Sequence, residues 1–164
     1  MDRVIRIIKD TREPSSFTFA GLQKVDAVDI LKLDFGDYTT EKLKNLVVIE
    51  RKAKGDLFHT LGSDHERFAK ELDRARAVGV KYFFIVIEAS LEGVYEGNWV
   101  FIKGKGRTMT FPYGSSAVSQ LINYSLKDGM RIIPVYADNI GTSRKIIRDI
   151  LIKAEEMLEK GVLK

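Results

Sequence analysis

Asp10, Asp37, Glu50, Lys52, Asp56 and Glu88 fall at or just past the ends of segments that read as β-strands, where an α/β sheet gathers its ligands. In Glu50-Arg51-Lys52 the strand period of two sends Glu50 and Lys52 to one face and Arg51 to the other. An acid and an amine then converge. Crowded carboxylates repel one another and lose hydration; a divalent cation relieves both, and ligands that are all oxygen suit Mg2+ or Mn2+. On a phosphodiester such an ion polarises the phosphoryl oxygen, acidifies a bound water and stabilises the leaving oxygen, with a lysine sharing the water or the phosphate. The chemistry indicated is metal-assisted hydrolysis. Each residue also has an ordinary role open to it: Asp37 after Gly36 is a turn residue, Asp56 a helix N-cap, and Glu50, Lys52 and Glu88 fit solvated strand ends.

The elements that must position these groups are legible in the apolar pattern. Arg3 to Lys9 reads as a strand, followed by a polar stretch from Ser15 to Lys24 and a second strand from Val28 to Asp34, with Gly36-Asp37 as a turn or bulge. Leu46 to Ile49 is a continuous apolar run, typical of a strand covered on both faces, that leads straight into Glu50. A short helix over Gly55 to Leu61 takes Asp56 as its N-cap. Ser63 and Glu66 match a capping box for a longer helix that buries Phe68, Leu72 and Ala75 and stops at Gly79. Its other face carries Arg67, Glu71 and Arg74, an i, i+4, i+7 ladder that reads as a solvated face. Tyr82 to Glu88 is the strongest strand, so strand, helix and strand form a parallel crossover.

Asn98 to Phe111 has the layout of a β-hairpin with aromatic arms and a basic tip. Lys103, Lys105 and Arg107 there either contact phosphates or protect an edge from aggregation. A helix opened by Ser115 or Ser116 runs to Leu126. A strand from Arg131 to Tyr136 contains Pro134, which favours an edge or a strand end, and a last helix from Thr142 or Ser143 stops at Gly161. His59 and His65 have no partners at metal-ligand spacing. The sum is an α/β chain with a mixed sheet flanked by helices.

The chain has 164 residues, 45% hydrophobic and 30% charged, with 3 Pro. That excludes disordered, collagen-like and low-complexity classes and leads to the expectation of one domain over 1–164. Without Cys there is no disulfide, thiolate nucleophile or cysteine-ligated metal, which fits a reducing, cytoplasmic setting. No apolar run approaches the roughly 18 residues of a membrane span, and the charged start lacks a signal-peptide core. The net charge is +4, and the stretch from Gly97 to Arg131 alone carries that surplus.

The ordered elements Gly36-Asp37-Tyr38, then Glu50-Arg51-Lys52, then a three-residue gap to Asp56 resemble the motif of the XPF-type structure-specific DNA nucleases, a branch of the PD-(D/E)XK superfamily. The likeness extends to Asp10-Thr11-Arg12-Glu13, to Arg67-Phe68 and Glu71-Leu72, and to the strand from Phe84 to Glu88, covering about residues 4–90. It implies a restriction-endonuclease-like core, here with an extra basic hairpin at about 98–111 and a helix-strand-helix segment at about 115–161. It implies Asp37, Glu50 and Asp56 as metal-site acids, with Mg2+ or Mn2+ as cofactor. Lys52 would position or activate water, Asp10 would be a further acid beside the metal site, and Arg51 would support the site or face DNA. Arg12 and Arg67 would contact phosphates. The expected activity is cleavage of branched, flapped or forked DNA, as in repair or recombination, often by a homodimer. No tandem helix-hairpin-helix or helicase segment is recognisable. Alternatives are a non-catalytic DNA-binding partner subunit, or a four-way-junction resolvase or nicking nuclease of the same superfamily.

Overall fold

Six strands pair into one sheet in the computed structural model, which describes residues 3–53, 55–97, 99–103, 107–111, 114–127 and 129–164, with backbone alone for 99–103 and 107–111. In chain order the elements are β1 (Ile5–Asp10), β2 (Val25–Leu31), β3 (Tyr38–Thr39), β4 (Val47–Lys52), α1 (Asp56–Leu61), α2 (His65–Ala77), β5 (Tyr82–Ile87) and α3 (Leu91–Tyr95). The hairpin β6 (Trp99–Lys103) and β7 (Arg107–Phe111) follows, then α4 (Gly114–Ser125), β8 (Arg131–Tyr136) and α5 (Ile140–Glu159). The sheet order is β2-β1-β3-β4-β5-β8. β1 and β2 run parallel, as do β4, β5 and β8, while β3 is antiparallel to both of its neighbours. The α/β fold with a mixed sheet and flanking helices expected from the sequence is the one observed. The hairpin arms also pair as expected, from Trp99 with Phe111 to Lys103 with Arg107.

Strand alternation divides the core. On one side Val48, Phe83, Ile85 and Ile87 pack with Leu57, Phe58, Phe68 and Leu72 of α1 and α2 and with Leu121 of α4. On the other, Ile5, Ile7, Val47, Ile49 and Val86 pack with Ile147 and Leu151 of α5. The result is an α/β/α stack, and β4 necessarily presents Glu50 and Lys52 to the α2 side and Arg51 to the α5 side.

Several boundaries differ from the sequence reading, each for a local reason. β2 begins at Val25 and ends at Leu31, not at Asp34, because the Asp10 carboxylate takes the amide of Leu33 at 2.7 Å and draws the chain out of the ladder. α1 has Gly55, not Asp56, at its N-cap, and Asp56 is its first residue. α2 has Asp64, not Ser63, at its N-cap position, without a side-chain bond to the helix amides. α5 is capped by Asn139, whose side chain accepts the Thr142 amide at 2.9 Å, so neither Thr142 nor Ser143 opens it. β3 and α3 go beyond what the apolar pattern predicts. The first is only two residues long, and the second is a five-residue turn of helix held by Ser90 accepting from Gly93.

Candidate active site

A cleft of about 280 Å³ opens beside the C-terminal end of β4, between the sheet and α2, and is lined by Arg12, Asp37, Glu50, Lys52, Thr60, Asp64, Arg67, Phe68, Glu71 and Arg74. Glu50 and Lys52 reach it because they alternate with Arg51 along β4. Glu50 is only 6% exposed, and its Oε1 stands 2.7 Å from Lys52 Nζ, which also lies over the Phe68 ring.

Asp37 arrives by a different route. It follows Gly36, which holds φ +69° and lies so close to Val48 that a Cβ would stand 2.1 Å from Val48 Cγ1, so only glycine fits this approach of turn to strand. The turn is then bonded on both sides: Asp37 N donates to Ile49 O at 2.8 Å, and Asp10 N donates to Asp37 O at 2.8 Å. The Arg51 amide donates to Asp37 Oδ2 at 2.8 Å. A fourth bond, from Gly36 N to Glu71 Oε1 at 3.0 Å, ties the turn to α2.

The electrostatics follow from this crowding. Burial, reinforced by the charges of Glu50 and Glu13, pushes the Asp37 carboxyl well above the ordinary carboxylate range. Burial also raises Glu50, against the pull of Lys52 and with some help from Glu71. For Lys52, burial works to lower its pKa, but Glu50, Asp37 and Glu71 outweigh it and hold the ammonium above its usual value. The paired Glu50 carboxylate thus favours the ammonium form of Lys52 in this cleft.

No protein-family model matches the sequence, and no curated protein does. Solved structures do. XPF from Aeropyrum pernix is similar with a TM-score of 0.62 at 19% sequence identity, over 94% of this chain and 67% of that one. The fold is the XPF-type nuclease fold. A structure of XPF from Aeropyrum pernix in complex with DNA is similar with a TM-score of 0.57 at 18% identity, over 93% of this chain and 66% of that one. The chain thus spans about two-thirds of the length of these structures.

On the XPF-type scaffold the expected residues part into those the cleft gathers and those it does not. Asp37, Glu50, Lys52, Arg12 and Arg67 line it together. Asp56 does not: it is exposed at the start of α1, a helix whose buried face is Leu57, Phe58 and Leu61. Among the described residues no group of three or more His, Cys, Asp or Glu side chains is arranged to hold a metal; of the three expected acids, Asp37 and Glu50 line the cleft and Asp56 does not.

Asp10 is fully buried and committed elsewhere. It accepts the Leu33 amide, the Arg12 amide at 2.8 Å and Arg12 Nε at 2.6 Å. Burial acts to raise its pKa, but these donors outweigh it and hold the carboxyl below its ordinary value; Asp10 anchors Arg12 and is not among the residues that line the cleft. Arg51 points away, as alternation dictates. Its guanidinium bonds Glu13 Oε2 and Glu88 Oε1, each at 2.7 Å, and lies 4.4 Å from the centroid of Phe17. Its side chain, 9% exposed, lies on the α5 side of the sheet and does not line the cleft.

Lys105 lies outside the described residues. Lys103 and Arg107 face one another in register at the end of the hairpin, with their side chains outside the description. The cleft also contains residues that the sequence reading assigns elsewhere. Glu71 and Arg74 belong to the ladder that reads as a solvated face, and Asp64 and Thr60 frame its end. The available signal is that this ladder shares a helix with Phe68, whose ring meets Lys52. Among the described residues, no helix is long and apolar enough to cross a membrane.

Proposed function

We propose that this chain is a divalent-metal-dependent endonuclease that hydrolyses phosphodiester bonds in branched, flapped or forked DNA. The observation that carries the reading is the meeting of Asp37, Glu50 and Lys52 in one cleft whose rim bears Arg12, Arg67 and Arg74. One of the similar structures, XPF from Aeropyrum pernix, is a complex with DNA, which supports a DNA substrate.

The donor set fits Mg2+ or Mn2+. Of the four carboxylates that line the cleft, Asp37 and Glu50 are pushed upward by burial, Asp37 further by Glu50, and Mg2+ is commonly held by one or two carboxylates with the remaining positions left to water and phosphate. When bound there, the ion would polarise the scissile phosphoryl oxygen and acidify water. The chain's own residues do the rest. Asp37 and Glu50 hold the negative charge that recruits the cation. Lys52, kept protonated, offers its ammonium to a phosphate oxygen or orients the attacking water. Arg12 and Arg67, 63% and 84% exposed at their side chains, present guanidinium groups to flanking phosphates.

A labelled panel of linear duplex, single strand, 3′ flap, fork and four-way junction, incubated with Mg2+, Mn2+ or EDTA, tests this. Cutting of the branched substrates that EDTA abolishes is expected. Metal-independent cutting, or none on any substrate, contradicts the reading, and preferred cutting of the four-way junction favours a resolvase. A chain that binds these DNAs without cutting is the non-catalytic subunit.

Phosphate contacts are read separately from chemistry. Changing Arg12 and Arg67 to Ala is expected to flatten the plot of log affinity against log salt by about 0.9 per lost contact on duplex DNA. The same substitution at Lys103, Lys105 and Arg107 decides whether the hairpin contributes: an unchanged slope assigns it to edge protection alone.

A further inference from the structure

Glu71 stands on the wall of the cleft, yet one of its carboxylate oxygens is already engaged. Oε1 takes the Gly36 amide at 3.0 Å, one residue before Asp37. The other ties on that turn among the described residues come from the sheet, through Ile49, Arg51 and Asp10. The bond from Glu71 comes instead from α2, which also carries Phe68, over which Lys52 lies, and Arg67 and Arg74 on the rim. The Gly36 turn lies close against β4, where a Cβ on Gly36 would stand 2.1 Å from Val48 Cγ1.

We infer that Glu71 is a positioning residue: by holding the Gly36 amide from α2 it sets where the Asp37 carboxylate stands relative to Glu50 and Lys52, and this positioning needs its acceptor oxygen, not its charge. The inference rests on the metal-dependent nuclease reading for its catalytic consequence, and on geometry alone for its structural one. Glutamine keeps an acceptor oxygen at the same place, whereas alanine removes it.

The test compares wild type, Glu71→Gln and Glu71→Ala in three measurements. These are single-turnover cleavage of the best substrate across a Mg2+ titration, affinity for that DNA in EDTA, and amide hydrogen exchange at Gly36 and Arg51. Glu71→Ala is expected to slow cleavage about 10- to 100-fold, the range for residues that orient metal ligands. DNA affinity should stay within about threefold on the same grounds, because no phosphate contact is removed. Exchange should quicken at Gly36 and also at Arg51, whose amide reports the position of Asp37. Glu71→Gln is expected to restore all of these to near wild type.

A glutamine variant as slow as the alanine variant would show that the charge matters and overturn the inference. Unchanged Arg51 exchange in the alanine variant would overturn it equally, because Asp37 would not have moved. If wild type cuts no DNA, the nuclease reading falls, while exchange at Arg51 still decides whether Glu71 positions Asp37.

Discussion

Asp37→Asn is expected to abolish metal-dependent cleavage while raising the melting temperature of the metal-free protein. Both effects have one origin. Asn retains an oxygen for the Arg51 amide, so the turn keeps its bond to β4, but it removes a carboxylate that burial, Glu50 and Glu13 all penalise when ionised. The sign follows from linkage. A carboxyl whose pKa is higher in the folded than in the unfolded state binds more protons when folded, so stability falls as pH rises from the unfolded value of about 4 through the folded one.

At neutral pH the wild-type protein without metal carries that penalty, about 1.4 kcal/mol for each tenfold increase in proton affinity. Asn carries none. Melts in EDTA at pH 8 are expected to favour the variant, with the gap closing as pH approaches 4. Added Mg2+ or Mn2+ should stabilise wild type and leave the variant unmoved, since only a state that binds the ion gains from it. Loss of cleavage should be on the order of a hundredfold or more, the scale set by removing one group that stabilises transition-state charge. A variant that melts below wild type at pH 8 in EDTA would remove Asp37 as the strained charge.

The second large effect lies behind the sheet. Arg51→Ala is expected to destabilise the protein by about 3–5 kcal/mol, the range for breaking a buried ion pair by removing one partner. Arg51, Glu13 and Glu88 have side chains only 9%, 10% and 6% exposed. Truncating the guanidinium leaves two carboxylates without their common counter-charge. Glu88 retains the Ser143 hydroxyl of α5, and Glu13 the Tyr38 hydroxyl, neither of which neutralises it. Lysine is a poor substitute because one ammonium cannot reproduce a planar fork that reaches both acids and stacks on Phe17. Replacing the whole cluster, Arg51→Met with Glu13→Gln and Glu88→Gln, should recover most of the loss. Urea denaturation of the three proteins measures this. A single variant within about 1 kcal/mol of wild type would place the network on the level of a surface ion pair.

The strand period makes one part of the site readable in advance. Glu50 and Lys52 have to share a face and Arg51 has to leave it, and the structure agrees. Motif spacing also brings Asp37 to the same cleft, because the Gly36 turn and β3 are short enough to leave no other course. Asp56 stays outside for the opposite reason. A position three residues past a strand end depends on how the following helix is rotated, and the burial of Leu57, Phe58 and Leu61 sets that rotation. Asp10 reads as a cleft acid because its type and place suit one, but Arg12, two residues on, and Leu33, just past the end of β2, offer it three donors at once. Glu71 belongs to a stretch that carries the family likeness, yet with Arg74 it reads as a solvated face, since an i, i+4, i+7 charge ladder looks the same whether its face meets water or a cleft. Only the packing of Phe68 against the Lys52 side of the sheet distinguishes the two.

β3 joins what is otherwise two separate parallel arrays, one of β1 and β2, the other of β4, β5 and β8. Its ladder contacts are few: Thr39 with Ile8, Tyr38 with Lys9, and Tyr38 with Ile49. Asp37 sits at that seam. Glu50 and Lys52 belong to one half of the molecule, and Arg12, anchored by Asp10, belongs to the other. Neither array carries the constellation by itself, and the core on the α5 side, where Ile5 and Ile7 of β1 pack with Val47 and Ile49 of β4 against Ile147 and Leu151, spans the seam and fixes the spacing of the charged groups across it.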